Sequence, residues 1–229
     1  SSIHAYSDDQ VIPAPASIPK ASESTYPGDY LRMHPITHFL AGWTVAGVSG
    51  LEKRDRAIVT LASIAPDFDG AGIVVELATR ESSTPLLWWS DYHHVLGHNL
   101  AFGLMAFLAA ALLARRRLLT AFLSLFVIHL HLFCDLIGSR GPDGFQWPIP
   151  YFYPFLPKVE FVWAHQWALN AWPNFVITIV LLSATFIMAW KKGISPLEII
   201  SKRADQLFVS AFRKRFGMPQ LAYEKNKNK

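Results

Sequence analysis

Three apolar segments constrain the fold of this 229-residue chain more than any other feature of its sequence. They run over residues 96–114, 118–138 and 172–190. Each is about 20 residues long, and a helix of that length crosses a hydrocarbon core of about 30 Å. Trp172 and Trp190 flank the last segment, and tryptophan is enriched where membrane helices meet the aqueous interface. The sequence therefore predicts an integral membrane protein.

Two weaker apolar segments precede these three. Residues 34–50 form a short helix candidate that ends at a glycine, and residues 57–77 form another that Pro66 and the following turn interrupt. With these two segments included, the sequence predicts an all-α, polytopic membrane helical bundle with four or five spans. A basic amphipathic helix is expected after the last span.

The chain divides into three parts by composition. Residues 1–32 are rich in Ser, Ala and Pro without an apolar period, which predicts a disordered leader. Residues 33–192 form the predicted membrane domain, and residues 193–229 the predicted basic amphipathic helix and tail. From Lys191 onward there are ten Lys or Arg against three Asp or Glu, which suits an anionic membrane surface. No basic groove with interleaved aromatic residues accompanies this charge, so we predict membrane lipid as a partner and no nucleic acid.

Positive charge in the connecting segments predicts an orientation. Basic residues cluster at 53–56, 115–117 and 191–192, after the first, third and fifth apolar segments. Cytoplasmic loops carry the excess of Lys and Arg, so these three clusters and the C-terminus are expected in the cytoplasm. The other ends of the segments then face outward, and a bacterial inner membrane is the expected location.

His and Asp side chains recur at the outward ends of the apolar segments. Ionisable groups are costly inside hydrophobic segments, and a bound metal ion is the partner that suits mixed imidazole and carboxylate ligands. The single Cys134 excludes zinc sites built from several cysteines. The predicted metal ligands are His38, Asp67, Asp69, His93, His94, His98, His131 and Asp135.

Spacing supports this prediction locally. His131 and Asp135 are at i and i+4, which places them side by side on one helix face. His94 and His98 have the same spacing, and His93 is the alternative ligand if the chain is only partly helical there. The competing interpretations are a His–Asp hydrogen bond inside the bundle and a solvated histidine patch at the start of a helix.

These motifs resemble a known family. They match, in order and approximate spacing, the YdjM-like family of membrane-bound, metal-dependent hydrolases over about residues 33–190, and a more distant likeness is to zinc-dependent phospholipase C and P1-type nucleases. The family pattern of the third motif is His-Arg-Gly-x-Thr-His, so its histidines carry over to His93 and His98. Here His94 stands at the arginine position and Gly97 at the threonine position, which leaves either His93 or His94 as the ligand. The matching motifs are residues 35–38, 66–69, 93–98 and 131–135.

The expected function is hydrolysis of an ester or phosphoester, small or lipid-linked, by metal-activated water. Zinc is favoured among one to three divalent ions, with manganese or iron as alternatives. Arg140, in a glycine-rich loop after the fourth segment, is predicted to stabilise an anionic oxygen, and His165 to act as an acid or base. A structural metal site without catalysis remains an alternative. A metal transporter is a further alternative. Transport would require polar groups that continue to the inner ends of the spans, and residues 100–114 and 118–128 offer few.

Overall fold

A computed structural model describes residues 34–141 and 144–219 of the protein. The predicted leader, residues 1–32, lies outside the described residues, as does the end of the predicted tail. Within the described ranges the protein is all-helical, with two isolated β-bridges and no β-strand. The α-helices of these ranges are α1 His34–Val48, α2 Lys53–Ala62, α3 Gly72–Thr79, α4 Trp88–Tyr92, α5 Leu100–Leu113, α6 Arg117–Gly138, α7 Trp172–Lys192 and α8 Lys202–Phe216.

Two of these helices, α6 and α7, are long and apolar enough to span a membrane. A third candidate is formed by α2 together with residues 66–79. This pair of helices is long and apolar enough to span a membrane, but it bends by 59° at the break. Helix α5 is apolar, but its 14 residues reach about 21 Å, which is short of the hydrocarbon thickness. The described residues thus contain two or three candidate spans, and the expected four or five stay a prediction.

Helix α6 lies at the centre of the bundle, where it packs against α5, α2 and α1. Its buried residues recur at the three- and four-residue spacing of a single helix face, which begins at Thr120 and Ser124 and continues through Ile128. His131 and Asp135 continue this buried face toward the helix C-terminus. The helical period of α6 therefore carries both predicted ligands into the interior.

Helix α5 begins at Leu100, four residues later than the predicted apolar segment. The cause is Asn99, whose Oδ1 accepts a hydrogen bond from the Phe102 backbone N–H at 2.8 Å, while its Nδ2 donates to the Val95 carbonyl at 2.7 Å. The chain before Asn99 is consequently irregular. The interpretation of His94 and His98 as an i, i+4 pair on a helix is therefore wrong.

The basic clusters meet at one end of the bundle. The Asp55 carboxylate accepts hydrogen bonds from the backbone N–H groups of Arg115 and Arg116 at 2.9 and 2.8 Å. Lys192 Nζ donates to the Gly47 carbonyl at the end of α1, at 2.8 Å. Because α6 starts here and runs to Asp135, the basic end and the predicted ligands lie at opposite ends of α6.

The C-terminal region folds back onto the bundle. A 3-10 turn at Pro196–Ile199 precedes α8, and Glu198 in this turn forms a two-bond pair with Arg56 of α2 at 2.7 and 2.8 Å. The Phe212 ring of α8 stacks on Phe186 of α7 with centroids 5.5 Å apart. The predicted amphipathic helix is present, and part of its apolar stripe packs on α7.

Candidate metal centre

Four separate stretches of the chain converge at the end of the bundle opposite the basic clusters. We call the six side chains that meet there the His/Asp cluster. Their ligand atoms fall into three overlapping groups, within each of which all atoms lie within 4.8 Å of one another. The cluster consists of His38 from α1, Asp67 from the bend after α2, His94 and His98 from the segment before α5, and His131 and Asp135 from α6.

Two imidazoles face each other at the centre of this cluster. His131 Nδ1 lies 2.7 Å from the Ser63 carbonyl, which can only accept, so this nitrogen carries the proton. His98 Nδ1 lies 3.2 Å from Asp69 Oδ2, and by the same reasoning this nitrogen carries the proton and donates a hydrogen bond to the carboxylate. In the neutral rings both Nε2 atoms therefore present lone pairs, and they are 3.2 Å apart. Two facing lone pairs are stable only with a cation between or beside them.

The carboxylates around these nitrogens complete a ligand set of the right dimensions. Asp135 Oδ2 lies 3.0 Å from His131 Nε2 and 3.4 Å from His98 Nε2. Asp67 Oδ1 lies 3.4 Å from His131 Nε2 and 3.9 Å from His98 Nε2. Tetrahedral ligands at zinc bond lengths of about 2.0 Å are separated by about 3.3 Å. The separations in the protein bracket that value.

Asp69 lies behind the His/Asp cluster rather than in it. Its Oδ1 accepts a hydrogen bond from His93 Nδ1 at 3.0 Å, and its Oδ2 accepts from the Gly97 backbone N–H at 3.1 Å and from His98 Nδ1. Both oxygens are thus occupied by N–H donors. Carboxylates in this position fix the tautomer and direction of a ligating histidine. The prediction that Asp69 binds metal directly stays untested, and its contacts favour an orienting role.

The structure separates His93 from His94. His93 is stacked on Trp89 at 3.7 Å and bound to Asp69, and it belongs to none of the three ligand groups among the described residues. His94 groups with His98 and Asp135 and stacks on the His98 ring at 4.3 Å. Burial holds the pKa of His94 well below its ordinary value, and the neighbouring His98 and His93 act in the same direction. The His94 ring is therefore neutral at pH 7 and can offer a lone pair.

The polar atoms of the cluster fit a bound cation. Within residues 34–141 and 144–219, Asp67 Oδ2 and His94 Nδ1 are buried atoms of the cluster that have no hydrogen-bond partner. A buried carboxylate oxygen or imidazole nitrogen without a partner is costly, and a metal ion removes that cost. His98, His131 and Asp135 are at most 3% exposed. The donor set of imidazoles and carboxylates suits zinc, manganese or iron.

The two residues predicted to act in catalysis are not among these groups. Arg140 follows α6 by two residues, and its backbone pairs with Trp167 and Leu169. His165 is exposed and lies edge-on to Trp163. The buried residue of this loop is its neighbour Gln166, whose Nε2 donates to the Asp135 carbonyl at 2.8 Å. The proposed roles of Arg140 and His165 stay predictions.

Three residues support the centre in ways that the sequence analysis did not predict. The Ser63 carbonyl accepts a hydrogen bond from His131 Nδ1, and Ser63 Oγ donates one to the His38 carbonyl at 2.8 Å. Gly97 has no room for a side chain, because a Cβ there would overlap the Pro66 backbone. Trp147 covers His94 with ring centroids 4.9 Å apart. Only the glycine had a local signal, namely its place between two of the predicted histidines.

Access to the His/Asp cluster is greatest at Asp67, whose side chain is 18% exposed while those of His98, His131 and Asp135 are at most 4% exposed. The adjoining Phe68 is 65% exposed and lies at the bend after α2. We call this most accessible edge of the cluster its opening, and the exposed apolar side chain of Phe68 lies beside it.

Comparison with known proteins gives one match. A family model described as YdjM inner membrane protein matches residues 33–199. Neither a curated protein nor a solved structure matches the chain. The more distant likeness to zinc-dependent phospholipase C and P1-type nucleases therefore stays a hypothesis.

Proposed function

Because the chain belongs to the YdjM inner membrane protein family, we propose that it is a membrane-embedded, metal-dependent hydrolase of esters or phosphoesters. The His/Asp cluster is the proposed active site, with zinc as the favoured ion and manganese or iron as alternatives. The proposal places the cluster toward the extracytoplasmic side and the basic end in the cytoplasm, according to the distribution of Lys and Arg.

One observation carries the proposal: the approach of His98 Nε2 and His131 Nε2 to 3.2 Å, while the Nδ1 atom of each ring is engaged with an oxygen acceptor. A hydrogen bond between the two neutral rings would require an Nε2 proton that neither ring carries. Protonation of one ring would supply such a proton, but the surrounding carboxylates equally suit a metal ion. The buried Asp67 Oδ2 and His94 Nδ1, which have no hydrogen-bond partner among the described residues, favour the ion.

A divalent ion bound here supplies a Lewis acid and a water nucleophile that is active near neutral pH. The residues of the protein do the rest. Ser63 and Asp69 hold the two central imidazoles in the tautomer that binds metal. Asp67 lies at the opening, where its carboxylate can accept a proton from a nucleophilic water. Burial of the other ligands excludes bulk water and strengthens every charge interaction in the site.

The depth of the centre indicates where the substrate resides. His131 lies about 21 Å and Asp135 about 27 Å along α6 from Arg117 at the basic end. With a hydrocarbon core of about 30 Å, the cluster is within a few ångströms of the opposite boundary. A lipid-linked ester would present its polar linkage at this depth, and the exposed Phe68 lies beside the opening. We therefore favour an amphiphilic substrate over a water-soluble one.

Arg140 is the candidate for binding an anionic oxygen of the substrate. It lies two residues beyond the end of α6 that carries Asp135, and its side chain is half-buried. Among residues 34–141 and 144–219 its guanidinium makes no hydrogen bond or ion pair. Arginine binds carboxylate and phosphate oxygens in a two-bond geometry. We expect Arg140→Lys to reduce kcat/KM for phosphoesters more than for neutral esters.

The test uses the full chain in mixed micelles, loaded with zinc or manganese. Phosphomonoester, phosphodiester and carboxylic ester lipids are each assayed for hydrolysis, with soluble chromogenic analogues in parallel. We expect one class of lipid to be hydrolysed and Asp135→Ala to abolish that activity. Asp91→Asn is the matched control, because Asp91 is an exposed carboxylate near the same end. Metal-loaded protein that hydrolyses none of these substrates would overturn the catalytic proposal and leave a structural metal site.

A further inference from the structure

We propose that the centre binds two metal ions and that its ligands divide into two matched halves. His38 and His131 hold one ion, His94 and His98 hold the other, and the carboxylates of Asp135 and Asp67 lie between them. This inference rests on the proposed metal centre and adds the number of ions and the ligands of each.

The ring geometry supports this division. The His38 and His131 rings are stacked with centroids 3.8 Å apart, and the His94 and His98 rings are stacked with centroids 4.3 Å apart. Each pair also forms a three-residue ligand group with Asp135, and a third group, Asp67 with His98 and His131, joins the two pairs. The cluster is thus built from two similar units of two imidazoles that share one carboxylate.

The two carboxylates are placed to bridge these units. Asp135 Oδ1 lies 3.2 Å from His38 Nε2, and Asp135 Oδ2 lies between the two central nitrogens, at 3.0 Å from His131 Nε2 and 3.4 Å from His98 Nε2. Asp67 Oδ1 lies between the two central nitrogens, at 3.4 Å from His131 Nε2 and 3.9 Å from His98 Nε2. Each carboxylate therefore contacts both halves of the cluster.

A single ion would leave His94 without a role as a ligand. An imidazole nitrogen binds one ion, and His98 and His131 each have only Nε2 available. One ion held by these two nitrogens and the two carboxylates has a full tetrahedral set. His94 would then keep its buried, unpartnered Nδ1 beside Asp135. His94 also has a left-handed φ of 63°, unique among the non-glycine residues that the structure describes. Strained backbone of this kind persists where a binding site requires it.

Charge points the same way. Histidines that bind metal are neutral, so in the metal-bound site Asp67, Asp69 and Asp135 contribute three negative charges. One divalent ion leaves an excess of about one negative charge, which would repel an anionic ester. Two divalent ions leave an excess of about one positive charge, which attracts a phosphate or a hydroxide in a medium of low dielectric. Two ions therefore also suit the phosphoester among the proposed substrates.

The experiment measures metal content and magnetic coupling in the full chain purified in detergent. Apoprotein is titrated with Mn²⁺, bound metal is counted by elemental analysis, and the loaded sample is examined by low-temperature EPR. We expect two ions per chain and an exchange-coupled signal in the native sequence. His38→Ala and His94→Ala should each retain one ion and lose the coupled signal. His129→Gln, which removes a histidine that contacts Tyr151 outside the cluster, should retain both.

One ion per chain without coupling, or two ions in His94→Ala, would overturn the inference. If either variant fails to fold, the stoichiometry and coupling of the native protein decide the question. The outcomes also separate this inference from the proposed function. Two coupled ions without hydrolysis refute only the activity, one ion with hydrolysis refutes only the second ion, and a metal-free protein refutes both.

Discussion

Replacement of Asp69 by asparagine distinguishes a residue that orients a metal ligand from one that binds metal. In the structure the two Asp69 oxygens accept three N–H donors, from His93, Gly97 and His98. Asparagine keeps one oxygen and substitutes an NH₂ group that would face an N–H donor. At least one of the three hydrogen bonds must therefore be lost, and a neutral amide oxygen, which accepts more weakly than a carboxylate, is all that remains to orient the His98 ring.

The expected effect follows from the usual cost of removing such a partner. Loss of a carboxylate that orients a ligating histidine weakens metal binding by about 10- to 100-fold, or about 1.4–2.8 kcal/mol. Competition with a chromogenic zinc chelator measures this change in the detergent-solubilised protein. Asp135→Ala, which removes a direct contact of both central histidines, should lower affinity much further.

The matched control is Glu76→Gln. Glu76 also uses both carboxylate oxygens, accepting hydrogen bonds from Ser90 N–H and Ser90 Oγ at 2.9 Å, but it lies outside the cluster. We expect the Glu76→Gln protein to bind zinc with the affinity of the native protein. An Asp69→Asn protein with native affinity would show that the orientation argument is wrong, and a loss as large as that of Asp135→Ala would make Asp69 a ligand.

Three further changes test the packing that supports the centre, each by SDS-induced unfolding in detergent. Gly97→Ala places a Cβ against the Pro66 backbone and should lower the free energy of unfolding by about 1–3 kcal/mol; native stability would mean that the two segments are farther apart. Asn99→Ala removes the cap of α5 and should cost about 1 kcal/mol, and Asn99→Asp should cost at least as much, because it keeps the acceptor for the Phe102 N–H but sets a buried carboxylate oxygen against the Val95 carbonyl. Glu198→Ala leaves Arg56 without its largely buried partner and should cost about 3 kcal/mol, whereas the exposed pair partner Glu81→Ala should change stability by less than about 1 kcal/mol.

Much of the fold follows from hydrophobic patterning. The apolar segments at 118–138 and 172–190 predict α6 and α7 to within a few residues, since a span requires a long uninterrupted apolar run. The period of α6 places His131 and Asp135 on its buried face. Hydrophobicity alone did not predict the start of α5, because the Asn99 side chain caps the helix through local hydrogen bonds and leaves the apolar residues before it outside the helix.

The site was predictable in its members but not in their roles. Ionisable residues in apolar surroundings are conspicuous in a sequence, and this signal identified all six members of the His/Asp cluster. Which of them face the centre depends on contacts between distant segments. Asp69 and His93 have the same local signal as Asp67 and His94, yet Asp69 points at the Nδ1 side of both His93 and His98. The carbonyl of Ser63 has no sequence signal at all, because any residue supplies one.

X-ray absorption at the edge of the bound metal is the most direct test of a shared His/Asp centre. The account predicts nitrogen and oxygen neighbours at about 2.0–2.1 Å, with the outer-shell scattering of at least two imidazoles, and a loss of imidazole scattering in a His98→Ala, His131→Ala double variant. A protein that binds no metal, or a spectrum dominated by sulfur at about 2.3 Å, would contradict it.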